Sequence, residues 1–453
     1  MQTIEDRNPA TGELIATIPC AGPEEVRAAV ARARAAQPGW AALPGEERRR
    51  RVLASLEVFR ELEGELADTI TREMGKPRRN AAGEVQGYLS GIERETAEVL
   101  EALAPQRFDT GETETTLVRM PHGVVAAITP WNFPIGMPLS ILIPALMAGN
   151  TVVFKPSEHV PLTGALIHKA LSAHLGPDVL VLLQGDGRTG AALVDSDVDM
   201  IGFVGSRATG QHIMRAAAGG LKRLVLELGG KDPLIVFADA DLEKAADCAV
   251  QHSVRNSGQV CCSVERVYVA EAVRERFEQL VLDRIGAWTY EGPEAPLGPM
   301  VSPGQREVVH GQVQEAVAQG ARLLAGGRLP EGPGSFYPAT VLADLRPEHR
   351  VLVDETFGPV VALATFSGEE AEAIRLANDT PYGLGANVWT GDRERGLRVA
   401  QAIVAGQVGV NRYLAGAQGS PWVGARGSGF GFLGGPEGHR QFTVPKTIGV
   451  APA

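Results

Sequence analysis

Cysteine is scarce in this chain: Cys20, Cys248, Cys261 and Cys262 are the only four in 453 residues. That is too few for a disulfide framework. No CxxC pair and no Cys/His cluster has zinc-ligand spacing, so no metal is expected. Positive charge is also in deficit, with Lys+Arg 43 against Asp+Glu 54 and a net charge of −11. Without a basic run, such a chain is a poor polyanion binder, which argues against a nucleic-acid partner. No long apolar run is left unbroken. The most apolar window, 123–149, contains Pro130, Pro134, Pro138 and Pro144. A membrane-spanning helix would not be interrupted four times, so this window reads as buried strand and loop. The N-terminus lacks a charged segment followed by an apolar stretch, so no signal peptide is expected. The expected location is cytoplasmic, with no membrane partner.

What is present is a globular composition, 44% hydrophobic and 21% charged. The length corresponds to about three domains at roughly 150 residues each. Helical patterns cover 26–37, closed by Pro38-Gly39, then 46–74, closed by Gly75-Lys76-Pro77, then 79–103. Between 112 and 125 the residues favour strands, and Pro121-His122-Gly123 is turn chemistry, which predicts a hairpin. From 151 onward short apolar runs alternate with helical stretches. The strands are expected at 151–154, 179–183, 200–204, 224–228 and 234–237, then 266–269, 360–366, 408–411 and 442–450. Helical spacing recurs at 162–175 and 190–194. This alternation predicts an α/β fold with parallel sheets covered on both faces. Ligands on such sheets bind beyond the carboxyl ends of the strands.

Several short segments carry possible chemistry. In Asn256-Ser257-Gly258-Gln259-Val260-Cys261-Cys262, a thiol follows a Gly-containing turn, where backbone amides can activate it. Read alone, that cysteine is equally a packed core residue. In Leu226-Glu227-Leu228-Gly229-Gly230-Lys231, desolvation would raise a carboxyl toward the range of a general base. A Glu paired with an Arg remains open there. Asn132, inside Pro130-Trp131-Asn132-Phe133-Pro134, can donate to an oxyanion or satisfy a turn. Lys155-Pro156-Ser157-Glu158 follows a strand, and Gly185-Asp186-Gly187 and Gly205-Ser206 are strand-end turns. Each is weak by itself.

Taken in order, PWNFP, KPSE, FVGS, LELGGK, NSGQVCCSVER and DETFGPV resemble the aldehyde dehydrogenase superfamily. The resemblance runs from Asn8-Pro9-Ala10-Thr11-Gly12-Glu13 to Phe442-Thr443 and Lys446. Glu227 and Cys261 stand 34 positions apart, as the family's base and nucleophile do. The resemblance implies that Cys261 attacks the aldehyde. Asn132 and the Cys261 backbone N–H would stabilise the alkoxide, and Glu227 would activate the water that hydrolyses the thioester. It also implies NAD as cofactor, with Lys155, Ser157 and Glu158 at the adenosine ribose. Gly205 and Ser206 are expected at the pyrophosphate, Thr129 and Trp131 near the nicotinamide, Glu355 with Phe357 at its ribose, and Gly185 and Leu228 among the remaining cofactor-binding residues. Glu158 would repel a 2′-phosphate, making NADP the poorer fit, while Arg207 adds positive charge beside Ser206.

The implied architecture has three parts. A Rossmann-type cofactor domain takes 1–102 and 123–228, and an α/β catalytic domain takes 229–442. A small β oligomerisation element combines 103–122 with 443–453, through which a homodimer or homotetramer forms. The small-molecule partner is an aldehyde. Some features depart from the family pattern. The tail reads Pro421-Trp422-Val423-Gly424-Ala425-Arg426-Gly427 where many members have Phe-Gly-Gly-x-Lys. Ser140 replaces a large aromatic or an arginine. Arg255, six residues before Cys261, is either a carboxylate clamp or a solvent-facing side chain. Cys262 could pair with Cys261 under oxidation. Two other readings stand beside hydrolytic oxidation: a CoA-acylating semialdehyde dehydrogenase, which would not need Glu227, and a catalytically silent relative.

Overall fold

Two open, mostly parallel sheets organise the chain. The computed structural model describes residues 2–109, 113–292, 294–414 and 416–451. The first sheet orders its strands Gly429–Phe430, Arg223–Glu227, Met200–Val204, Val124–Ile128, Thr151–Lys155 and Leu180–Leu182. All neighbours run parallel except the short Gly429–Phe430 strand. Val124–Ile128, Thr151–Lys155 and Met200–Val204 are buried at every position. This is the pattern expected where helices cover both faces. On one face lie the helices Pro23–Ala41, Gly187–Asp195 and Arg207–Ala218, contributing Val26, Leu193 and Ile213. On the other lie Gly45–Glu61, Gly136–Met147 and Pro161–Ser172, contributing Phe59, Leu142 and Ile167. Chain order reverses between Val124–Ile128 and Met200–Val204. A ligand crevice is therefore expected beyond their carboxyl ends.

The second sheet orders Arg322–Ala325, Thr340–Ala343, Val360–Phe366, Val264–Ala270, Asp232–Val236, Gly385–Trp389 and Gln407–Val410. Only its Arg322–Ala325 edge is antiparallel. The two sheets are joined by Leu228-Gly229-Gly230-Lys231, between Arg223–Glu227 and Asp232–Val236. Glu227 thus ends the last parallel strand of one sheet, and Asp232 opens the other. A third, antiparallel sheet pairs Glu114–Pro121 with both Gln106–Asp109 and Thr443–Val450.

The expected strands appear, most within a residue or two of their predicted ends. Five local readings are corrected. Pro38 does not close the first helix, which runs Pro23–Ala41 through it. The long pattern 46–74 is two helices, Gly45–Glu61 and Glu63–Met74, that turn at Leu62 (φ −91°, ψ 0°). The pattern 79–103 likewise divides into Arg78–Leu89 and Ile92–Ala102 at Ser90-Gly91. The apolar window 123–149 holds a helix, Gly136–Met147, as well as strand and loop. Pro138 sits in its first turn, where no N–H is needed, and Pro144 costs only one bond near its end. The hairpin also differs from expectation: Gln106–Asp109 and Glu114–Pro121 are its arms, so the reversal lies between them. Pro121-His122-Gly123 instead leads into Val124–Ile128. Glu112, where the hairpin reading began, lies outside the described residues.

Candidate active site

The thiol loop is built on an unusual backbone. After the helix Leu242–Val254, Asn256, Ser257 and Gly258 take successive positive φ values of 55°, 57° and 71°. Left-handed conformations cost side-chain-bearing residues energy, so the surroundings must hold them. Ser257 Oγ donates to the Gly298 carbonyl at 2.8 Å. Asn256 Nδ2 donates to the Asn132 carbonyl at 3.1 Å. A Cβ on Gly258 would lie 2.0 Å from the Gly358 carbonyl oxygen, so only glycine fits. Gln259 Oε1 accepts from the Val301 N–H at 2.9 Å. The loop is thereby fixed to both neighbouring segments. Cys261 emerges half-buried at its end.

Asn132 lies against this loop. Its Nδ2 donates to the Gln259 carbonyl at 3.1 Å, which leaves the second amide N–H available. Its backbone carbonyl accepts from Lys76 Nζ at 2.9 Å. Lys76 is buried and ion-paired with Glu84, whose other oxygen accepts from the Ile135 N–H at 3.0 Å. The Asn132 loop is therefore held by a charged pair, Lys76 from the connector after Glu63–Met74 and Glu84 from the helix Arg78–Leu89. Glu227 is buried at the end of its strand, and neither carboxylate oxygen has a hydrogen-bond partner. Burial drives its pKa well above the usual carboxylate range, opposed only by the Trp422 indole beside it.

Cys261, Glu227, Arg255, Ser140, Trp422 and Tyr413 line one cavity of about 520 Å³. Arg255 lies over the Tyr413 ring, 5.2 Å from its centroid, and its Nε has no hydrogen-bond partner. Tyr413 Oη donates to the Cys262 carbonyl at 2.6 Å and lies 3.2 Å from the Cys262 Sγ. The adjacent Cys262 thiol, and then burial, raise the pKa of Cys261 well above the usual thiol range. For Cys262 the adjacent Cys261, the Tyr413 hydroxyl and the Arg255 charge outweigh burial and lower the pKa to about 6.

A separate cleft of about 370 Å³ opens at the carboxyl ends of the first sheet. Thr129, Trp131, Lys155, Ser157, Glu158, Gly205 and Ser206 all line it. Ser206 is the N-cap of Arg207–Ala218, with its Oγ accepting from the Thr209 N–H at 3.3 Å. Lys155 is buried and Nζ donates to the Pro156 carbonyl at 2.8 Å. Burial lowers its pKa. Across the cleft, the Trp131 ring meets Phe357 edge-on at 5.6 Å. Glu355 accepts from the Gly230 N–H at 3.1 Å, and burial, then the nearby Glu265, raise its pKa to about 8.

Of the expected cofactor residues, Gly185, Leu228, Glu355 and Phe357 are not among those lining the cleft. Leu228 lines the Cys261 cavity. Gly185 is in the turn before Gly187–Asp195, where a Cβ would strike Thr189 Oγ1 at 1.9 Å, while Gly187 and Gly190 line the cleft. Arg207 turns toward Tyr382, 5.7 Å from its ring, and against Gly427, so its charge does not line the cleft.

Sequence reasoning missed two buried ion pairs. Lys231 Nζ donates to Glu265 at 2.5 Å, and Glu265 accepts from the Thr356 and Phe357 N–H groups at 2.7 and 2.9 Å. This pair secures the segment that carries Glu355 and Phe357. Its signal was present, since Lys231 and Glu265 lie within the quoted motifs and Asp232 pairs with Val264 between neighbouring strands. Lys76–Glu84 had no comparable signal.

Among the described residues no three His, Cys, Asp or Glu side chains are grouped to hold a metal ion, and no helix is long and apolar enough to cross a membrane.

Comparison with known proteins places this arrangement. Residues 1–448 match the model of the aldehyde dehydrogenase family. The chain is 38% identical to the betaine aldehyde dehydrogenase of Bacillus subtilis, over 97% of this chain and 92% of that protein. It is 37% identical to the glutarate-semialdehyde dehydrogenase of Pseudomonas putida, over 99% of this chain and 94% of that one. Its fold superposes on an NADP-dependent enzyme of E. coli with a TM-score of 0.95 at 33% identity, covering 100% of this chain and 95% of the other. The chain therefore belongs to the aldehyde dehydrogenase family, oxidoreductases that convert aldehydes to carboxylic acids with NAD(P).

Proposed function

We propose that this enzyme oxidises a carboxylate-bearing aldehyde hydrolytically, preferring NAD, with Cys261, Asn132 and Glu227 as its catalytic residues. One observation carries the reading: a thiol, a carboxyl without a hydrogen-bond partner and a guanidinium without an ion pair among the described residues line the same cavity. The Cys261 sulfur attacks the aldehyde carbon as its proton leaves to solvent. The developing alkoxide takes the free N–H of Asn132, a donor already aimed by Gln259 and Lys76. A dinucleotide held in the cleft would supply the hydride acceptor for the alkoxide carbon. Glu227 then takes a proton from the water that attacks the Cys261 thioester, which releases the acid and restores the thiol. Arg255 holds the distal carboxylate, because a buried guanidinium without a carboxylate partner favours an anion.

The cleft suits a dinucleotide. The Arg207–Ala218 N-terminus offers free backbone N–H groups to a phosphate. A Cβ on Gly205 would lie 2.4 Å from the Phe203 ring, so the strand end stays bare. Lys155, Ser157 and Glu158 would hold the adenosine ribose, and Glu355 the second ribose, with Trp131, Thr129 and Phe357 enclosing that end. Glu158 carries a half-exposed carboxylate into the cleft and Arg207 faces elsewhere, so a 2′-phosphate meets repulsion offset only by Lys155. Glu227 speaks against a CoA-acylating reaction. The domain division at residue 228 follows the bridge between the two sheets. The 106–121 and 443–450 strands leave open edges on the third sheet and expose Phe108, Ile448 and Val450, which supports a homo-oligomer through this element.

The test is a panel of aldehydes with NAD as oxidant. A kcat/KM for four- and five-carbon carboxylated aldehydes at least about tenfold above uncharged ones of equal length is expected, as is loss of that advantage in Arg255→Gln. Equal rates for charged and uncharged aldehydes would refute the substrate class. Faster turnover with NADP would refute the cofactor preference.

A further inference from the structure

Outside the catalytic cavity lies a second one, of about 600 Å³. Arg255 lines both, so the proposed clamp is a wall that this outer cavity, the vestibule, shares with the catalytic one. Arg78 and Arg79, from the first turn of Arg78–Leu89, form part of the outer wall together with Asn80. Trp288 and Gln251 complete the sides, and Glu294 is its one acidic lining residue. Arg78 is already engaged with Asp68. Among the described residues, neither Arg79 nor Arg255 has a carboxylate within ion-pair distance, Glu294 included. In a chain of net charge −11, two unpaired guanidiniums on one small cavity are a local reversal of the overall field. Arg79 is exposed and serves no packing role.

We propose that the vestibule is a second carboxylate subsite, in which Arg79 captures the anionic end of a short carboxylated aldehyde before Arg255 receives it inside. Asn80 and Trp288 give this subsite a further donor and an apolar wall for the carbon chain. Arg79 is a specificity-determining residue here, acting on capture and not on chemistry. The inference rests on the proposed preference for carboxylated aldehydes and adds to it a named residue outside the catalytic cavity.

Glutarate, a five-carbon dicarboxylate that cannot react, is the probe. Its binding to the purified full-length enzyme is measured by calorimetry for the wild type, Arg79→Gln and Arg255→Gln, with NAD affinity as the control for folding. The expected result is measurable binding to the wild type, weakened about tenfold by either substitution and weakened in the wild type by added salt. Loss in Arg255→Gln with wild-type affinity in Arg79→Gln overturns the vestibule and leaves the proposed substrate class standing. Absence of binding to the wild type, or affinity unchanged by both substitutions, overturns both.

Discussion

Glu227 is a carboxyl whose pKa burial raises well above the usual range, opposed only by the Trp422 indole. The reaction needs it ionised, so the two facts set the pH dependence. A base whose pKa is raised is lost as pH falls through that raised value. Steady-state turnover should therefore fall on acidification well above the ordinary carboxylate range near 4.3. A rate-against-pH series shows this as an acid limb that Glu227→Gln lacks. A wild-type profile flat down to about pH 5 would contradict the assignment. Much at this scale was legible in sequence. Cys261, Glu227 and Asn132 stand in motifs whose order is specific, and the structure brings them to one region. What Arg255 and Arg207 do was not legible, because both readings of each differ only in side-chain direction. Packing gives their directions: the Arg255 guanidinium lies over Tyr413 at the cavity wall, and Tyr382 and Gly427 hold Arg207 away from the cleft.

The elements show where periodicity succeeds and where it stops. Fully buried strands such as Met200–Val204 read as plain apolar runs, and their ends follow from the flanking glycines and helices. The breaks at Leu62 and at Ser90-Gly91 are invisible to a periodic pattern that continues through them. The helix Gly136–Met147 was hidden because an apolar run containing proline lacks the amphipathic signal of a surface helix. Buried ion pairs are a further blind spot, since their partners come from separate elements. Lys231–Glu265 joins two neighbouring strands to the segment carrying Glu355. Lys231→Met leaves Glu265 buried without its cation. It should destabilise the fold by about 3–5 kcal/mol and weaken dinucleotide binding. Denaturant unfolding together with NAD titration measures both. Unchanged stability would show that the two N–H donors alone suffice for Glu265.

At the scale of the molecule, each sheet has a simple task. The first ends its strands at the dinucleotide cleft, the second presents the thiol loop, and Leu228-Gly229-Gly230-Lys231 joins them. The third sheet has no such task within the protomer, and its strand Thr443–Val450 is exposed from Val444 onward. Ile448→Lys should shift the native mass toward the monomer in light scattering, with the fold intact by circular dichroism. An unchanged oligomer, or a monomeric wild type, would remove this sheet from the interface. The central claim, that Cys261 forms a thioester which Glu227 hydrolyses, is tested most directly by rapid mixing of Glu227→Gln with aldehyde and NAD. The account predicts a burst of one NADH per active site followed by a stalled steady state. Steady turnover at the wild-type rate, with no burst, would contradict it.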